Sequence, residues 1–243
     1  METNTIPLYS IKIYEFQCPN IIVDEVYEDI KNTDKLINWQ SIENGETVKT
    51  GGRVSKFAYD SNYLPVYYEK LFKWFNNCID VVSKKHYNGL KLKIIDSWLT
   101  RTGVGQTSLM HKHSASIISG LFYFHDCETP TIFKVENPWL AHLSNSTGYS
   151  ILGTDVTTPH KINTIPVYPK KGKLLIWRSD VEHNTDVHRG FTNRYTLAFN
   201  TFCDGVMSSS DTGRLQLKAI SVEEQHKEFN KTKKNKTNKT KAK

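Results

Sequence analysis

No stretch of the 243 residues approaches the roughly 20 consecutive apolar side chains that a helix needs to cross a bilayer. The opening residues Met1-Glu2-Thr3-Asn4-Thr5 have neither the basic start nor the apolar core of a secretory signal. The chain is therefore expected in the cytoplasm, or in a host's cytoplasm if it is viral, with no membrane partner. Its cysteines are few. Cys18, Cys78, Cys127 and Cys203 stand far apart with no C-x-x-C spacing, which argues against a zinc ribbon or a disulfide framework and leaves reduced thiols. Acids are missing from Lys231 to Lys243, where seven lysines account for the whole formal net charge of +7, so the rest of the chain is close to neutral. This low-complexity, self-repelling tail is expected to be disordered and to meet nucleic acid only non-specifically.

There is ample material for a core, with 38% hydrophobic residues and 12% aromatics. The length suits one large mainly β or α+β domain. Residues 1–89 read as an N-terminal strand with supporting helices, 90–205 as a β core, 206–229 as a C-terminal extension and 230–243 as the tail, with 1–229 forming one domain.

Alternation over Ile6 to Tyr14 predicts a strand. A helix is predicted to open at Asp24-Glu25 and to bury Val26, Tyr27, Ile30 and Leu36, its acids near the positive end of the helix dipole. The clearest helix runs from about Leu64 to His86, with Leu64, Tyr68, Leu71, Phe72, Phe75, Cys78, Ile79 and Val82 on one face. After Asn88-Gly89 the pattern turns to strands. They are expected at Leu90 to Thr100, Ile117 to His125, Thr131 to Val135, Thr164 to Tyr168, Lys173 to Trp177, Val181 to Val187 and Asn193 to Cys203, about eight in all with the first. The segment from Glu136 to Lys161, with two prolines and two glycines, reads as a loop able to cover a site. Helices first and short strands after suggest a mainly β jelly roll backed by helices.

Within that pattern lies Met110-His111-Lys112-His113-Ser114. Histidines at i and i+2 of an extended segment share a face and are able to grip one metal ion. His183 follows on a distant strand, and Arg194 comes 11 residues after it. Imidazole suits Fe(II), and a face of two or three such ligands leaves positions open for a co-substrate and O₂. Arg194 offers a planar cation able to hold a carboxylate in bidentate fashion, with Thr196 beside it on the same strand face. Tyr195, Leu197 and Phe199 alternate like core residues, which puts Arg194 on the opposite face. Ordinary hydrogen-bonded histidines and an exposed arginine are the competing reading of these residues.

The set His111, His113, His183, Arg194 and Thr196 resembles the 2-oxoglutarate/Fe(II)-dependent dioxygenase superfamily, whose pattern is H-x-(D/E), a long spacer, H, then about ten residues to R-x-(S/T). More narrowly, His-Lys-His-Ser-Ala-Ser-Ile-Ile-Ser-Gly-Leu-Phe-Tyr-Phe at 111 to 124 is similar to a stretch of an oxygenase sub-family of marine bacteria and their phages. The resemblance spans roughly Leu92 to Phe202. It implies a double-stranded β-helix of cupin-like type, with His111 and His183 as metal ligands. It also implies that Arg194 and Thr196 hold the distal carboxylate of 2-oxoglutarate, and that Tyr123 turns a hydroxyl toward the same carboxylate.

His113 departs from the family pattern, since it stands where an Asp or Glu ligand is usual. A third imidazole raises the site's net charge by one and weakens its hold on a hard cation without preventing binding. Two alternatives stay open. One is a carboxylate-free site like that of halogenating relatives, with His113 followed by Ala115 and His111 left idle. The other is a carboxylate entering from a loop, Asp180 or Asp126. The implied activity is a 2-oxoglutarate- and Fe(II)-dependent oxygenase of hydroxylase type, acting on a small-molecule or peptide substrate that residues such as Trp139, Tyr149 and Asp155 would select. A cupin-like metal-binding protein without 2-oxoglutarate chemistry is the alternative from another class. The neutral body argues against oxidation of nucleic acid.

Overall fold

The computed structural model describes residues 11–34, 39–41, 53–55, 68–134, 164–207 and 215–225. Its twelve described strands form a seven-stranded sheet, a three-stranded sheet and a separate hairpin. In chain order these are β1 (Tyr14–Gln17), α1 (Asn20–Thr33), β2 (Trp39–Ser41), β3 (Arg53–Ser55) and α2 (Glu69–His86). Then come β4 (Leu92–Thr102), β5 (Ile118–Tyr123), β6 (Thr131–Lys134), β7 (Thr164–Val167), β8 (Lys173–Arg178), β9 (Glu182–Thr185), β10 (Arg194–Cys203), β11 (Gly205–Met207) and β12 (Leu215–Leu217).

The major sheet has the order β1-β8-β5-β10-β4-β3-β2 and the minor sheet β7-β6-β9, with every described pairing antiparallel. From β4 onward the chain passes back and forth between the two sheets. Residues 107–113 extend the minor sheet past β9: Ser108 N–H donates to the Thr185 carbonyl at 3.3 Å, and His111 and His183 exchange backbone bonds of 3.0 and 2.9 Å. This winding is the double-stranded β-helix.

The two faces of the major sheet do different work. On β10, Tyr195, Leu197 and Phe199 join Phe122 of β5, Leu174 and Ile176 of β8 and the buried stripes of both helices in one core. In α2 the predicted period holds, with Leu71, Phe72, Phe75, Cys78, Ile79 and Val82 buried. Burying each such side chain contributes roughly 1.5–3 kcal/mol before entropy is counted. The alternate residues, Tyr123, Leu175 and Trp177, turn the other way and pack with Phe133 and Val181 of the minor-sheet side. That second face carries the site.

Gly120 shows how tight the helix-side core is. It lies opposite Phe199 in register, and a Cβ on it would stand 2.3 Å from the Phe199 ring, which is itself 5.2 Å from Phe75. Gly120→Ala is expected to cost about 1–3 kcal/mol by overpacking, a fall of several degrees in melting temperature for a chain of this size. Adding Phe199→Leu should restore part of it. A melt of Gly120→Ala that matches the parent protein would show that the ring yields freely.

Several sequence expectations need correction. The first strand starts at Tyr14 rather than spanning Ile6 to Tyr14, residues 11–13 are not strand, and Ile6 to Ser10 lie outside the described residues. α1 begins at Asn20, four residues earlier than predicted, because Pro19 occupies the cap and its carbonyl accepts from Ile22 and Val23 at 3.0 and 3.3 Å. No acid lies in its first turn. Tyr27 is only half-buried, and Leu36, Leu64 and the loop 136–161 are outside the described residues. α2 ends in basic residues, after which Asn88 and Gly89 take positive φ of 52° and 75°. The short strands β2, β3, β11 and β12 were not anticipated. Among the described residues no helix is long and apolar enough to cross a membrane.

Candidate active site

The three candidate histidines come together. Their ligand-capable atoms all lie within 4.8 Å of one another, and His113 Nε2 is 3.3 Å from His183 Nε2. Two imidazole nitrogens roughly 2.1 Å from one ion and at right angles would stand about 3 Å apart, so the spacing suits a shared metal. His111 and His183 are cross-strand partners, which sets their rings 4.4 Å apart at the centroids. His113 does not lie in a regular strand with His111, as the i, i+2 reading supposed. Its N–H donates instead to the Ser179 carbonyl at 3.0 Å, and the chain then turns through Ala115 at φ 53° into β5.

Backbone carbonyls set the tautomers. His183 Nδ1 lies 3.0 Å from the Val181 carbonyl and His111 Nδ1 2.7 Å from the Leu109 carbonyl. A carbonyl only accepts, so both Nδ1 atoms carry a proton, and in the neutral ring this tautomer leaves Nε2 its lone pair for an ion. Burial, then the neighbouring His183 and His111, push His113 down to about 3, and burial with His111 pushes His183 down to about 4. Both are therefore neutral donors near neutrality. Unfolded imidazoles titrate near 6.5. Folded values below the unfolded one mean that the unfolded chain binds protons first as pH falls, so this stability is complete above about 6.5 and is lost through 4 toward 3. The metal-free protein should melt at falling temperature from about pH 7 to about pH 5, more steeply than His113→Asn. Equal slopes would show that His113 carries no such linkage.

Serines of the sequence motif hold this arrangement. Ser179 Oγ meets Ser116 Oγ at 2.7 Å and Ser119 Oγ at 2.8 Å, and Ser119 donates to Asn200 Oδ1 at 2.8 Å. The segment after β8 that fixes the His113 backbone is thereby tied to β5 and β10.

Arg194 projects between the sheets and is only 1% exposed. Its Nη2 donates to Thr131 Oγ1 at 3.1 Å and its Nη1 to Thr185 Oγ1 at 3.4 Å, while its guanidinium lies 5.4 Å from the Tyr123 ring centre. Thr131 and Thr185 face each other in register across β6 and β9. Tyr123 Oη donates to the same Thr131 hydroxyl at 2.7 Å. Thr196, also buried, sits opposite Tyr123 in register. Arg194 Nε is buried with no hydrogen-bond partner among the described residues, and the guanidinium's two hydrogen bonds go to neutral hydroxyls. Burial lowers its pKa, offset in part by Tyr123 and Cys127. Such a cation costs free energy until an anion joins it. Thr185 lies two residues beyond His183 on β9, so the arginine's anchor and the imidazole cluster are about 7 Å apart along one strand face. A short dicarboxylate would span them.

Neither loop acid reaches the cluster. Asp180 is held in an ion pair by both Arg178 Nε and Nη2, the latter at 2.8 Å, and this pairing keeps its carboxyl low. Asp126 accepts from Lys170 Nζ at 3.0 Å and from Lys171 N–H at 2.8 Å. Among the described residues the cluster consists of His111, His113 and His183 alone. Trp139, Tyr149 and Asp155 lie outside the described residues.

Sequence reasoning missed four residues here. Thr185 was within reach, being at i+2 from His183 in an expected strand. Thr131 was not, since its place depends on the β6–β9 register. Trp98 stands 5.6 Å from His113, and Trp177 packs 4.8 Å from His183 with a buried indole N–H that has no acceptor among the described residues.

Residues 96–200 match the family described as "Putative 2OG-Fe(II) oxygenase". Among solved structures, similarity extends to HygX from Streptomyces hygroscopicus with nickel and 2-oxoglutarate bound, at 12% identity over 79% of this chain and 83% of that one, with a TM-score of 0.50. A Pseudomonas putida prolyl-4-hydroxylase is similar at 12% identity over 81% and 95%, with a TM-score of 0.51. The epimerase SnoN from nogalamycin biosynthesis is similar at 7% identity over 87% and 90%, with a TM-score of 0.57. Comparison with curated proteins gives no match. The segment that matches this family model holds all six candidate site residues, and the solved structures share its fold.

Proposed function

We propose that the protein is a 2-oxoglutarate- and Fe(II)-dependent oxygenase of hydroxylase type, in which His111, His113 and His183 hold the metal and Arg194, Tyr123 and Thr196 receive 2-oxoglutarate. The observation that carries this reading is Arg194: a buried cation with an orphaned Nε, its guanidinium bonded to two threonine hydroxyls, one strand step from the three-histidine cluster. A purely structural arginine in a metal-binding jelly roll would have no use for that arrangement. When bound, iron and 2-oxoglutarate together supply O₂ reduction coupled to decarboxylation, with succinate and CO₂ as products. The chain's own part is positional. Carbonyls of Val181 and Leu109 fix the imidazole tautomers, Arg194 neutralises the far carboxylate, Tyr123 and Thr131 orient it, and Trp177, Phe133 and Leu175 exclude water.

The substrate is a small molecule or a peptide. The prolyl-4-hydroxylase and SnoN share the fold with this chain, and their differing names leave both classes in play. We place the protein in the cytoplasm, in keeping with four free cysteines. A phage-like origin, and so a host's cytoplasm, is supported by the resemblance of residues 111–124. Succinate formed from 2-oxoglutarate in air by the Fe(II)-loaded protein, without added substrate, tests the function. Its absence from a protein shown to carry iron would favour a metal-binding protein without this chemistry.

A further inference from the structure

Resting on the proposed function, we infer that metal binding at this site is conditional on the anionic co-substrate: 2-oxoglutarate acts as a fourth, charge-supplying element of the metal centre. The reasoning is electrostatic. All three candidate ligands are imidazoles, so the donor set brings no negative charge to a divalent ion. One strand step away lies Arg194, 1% exposed, which donates to the neutral hydroxyls of Thr131 and Thr185.

The nearby acids are committed elsewhere. Asp180 is paired with Arg178, and Glu182, beside His183 in sequence, pairs with Lys134 at 2.9 Å. Lys112, between the two motif histidines, adds a further positive charge that both of those acids feel. A divalent ion bound at the cluster and Arg194 would then repel each other, while Asp180 and Glu182 stay paired with Arg178 and Lys134. A dianion lying from the imidazoles to Arg194 meets both cations at once. Each ligand then raises the other's affinity by the same factor, as linkage requires. A carboxylate at position 113 would supply part of that charge permanently and loosen the dependence.

The test needs no turnover. Mn(II) is titrated calorimetrically into the full-length protein without oxygen, with and without saturating 2-oxoglutarate, and the same is done for His113→Asp and His113→Glu after their folding is checked by circular dichroism. In the wild type, 2-oxoglutarate should raise Mn(II) affinity about 100-fold, near the top of the usual range for coupled sites. In the carboxylate variants Mn(II) should bind more tightly alone, and the coupling should shrink to about tenfold or less. An equal factor in wild type and a folded carboxylate variant overturns the inference. So does a wild-type factor below about tenfold, which decides the matter if neither variant folds. Wild-type protein that binds no Mn(II) even with 2-oxoglutarate present would bring down the functional reading beneath it as well, a result distinct from binding without coupling.

Discussion

His183→Ala should lose the metal. This imidazole is buried, its Nδ1 is committed to the Val181 carbonyl and its Nε2 faces His113 Nε2, so no other described side chain stands ready to replace it. Loss of a mere supporting contact around a ligand weakens metal sites roughly 10–100-fold, and loss of the ligand itself should exceed the top of that range. Anaerobic titration with Mn(II) in the presence of 2-oxoglutarate should show one site in the wild type and none in the variant. Circular dichroism would establish that the variant is folded, and undiminished binding by a folded variant would remove His183 from the centre. The minor sheet is expected to tolerate the change, since the His111–His183 pairing is made by backbone groups.

Arg194→Ala should leave the metal site standing and cripple co-substrate binding. Removing the guanidinium strands the far carboxylate beside Tyr123 and Thr131 with two neutral hydroxyls and no cation. Truncating one partner of a buried charge pair costs roughly 2–5 kcal/mol, or about 30- to several-thousand-fold in affinity. The variant should need that much more 2-oxoglutarate to saturate. Arg194→Lys should recover little, because one ammonium does not reproduce a planar fork that reaches Thr131 and Thr185 together. Normal saturation of Arg194→Ala would keep the oxygenase and move its anchor elsewhere.

What could be read in the chain and what could not follows from the range of the interactions. The α2 stripe of Leu71, Phe72, Phe75, Cys78, Ile79 and Val82 depends only on a local period, and it is buried as expected. The face of Arg194 also follows from local alternation with Tyr195, Leu197 and Phe199; that this face is interior depends on the minor sheet, which no local pattern reveals. His111 and His113 share a site, yet not through a continuous strand. One is held by a cross-strand bridge and the other by Ser179, a residue on the far side of β8. Thr131 acquires its role only when β6 and β9 pair in register. The early start of α1 reflects Pro19, whose missing N–H costs nothing at a helix cap, against a reading that waited for acids. Local periods were legible, and cross-sheet partnerships were not.

The central claim is that three imidazoles and one buried guanidinium hold a single iron and 2-oxoglutarate together. The most direct measurement is anaerobic visible spectroscopy of the Fe(II)-loaded protein during titration with 2-oxoglutarate. Chelation to the metal should produce a weak metal-to-ligand charge-transfer band that saturates at one equivalent bound in the wild type, appears only at far higher co-substrate in Arg194→Ala, and is absent from His183→Ala. An iron-loaded wild-type protein that shows no band at any 2-oxoglutarate concentration would contradict the account.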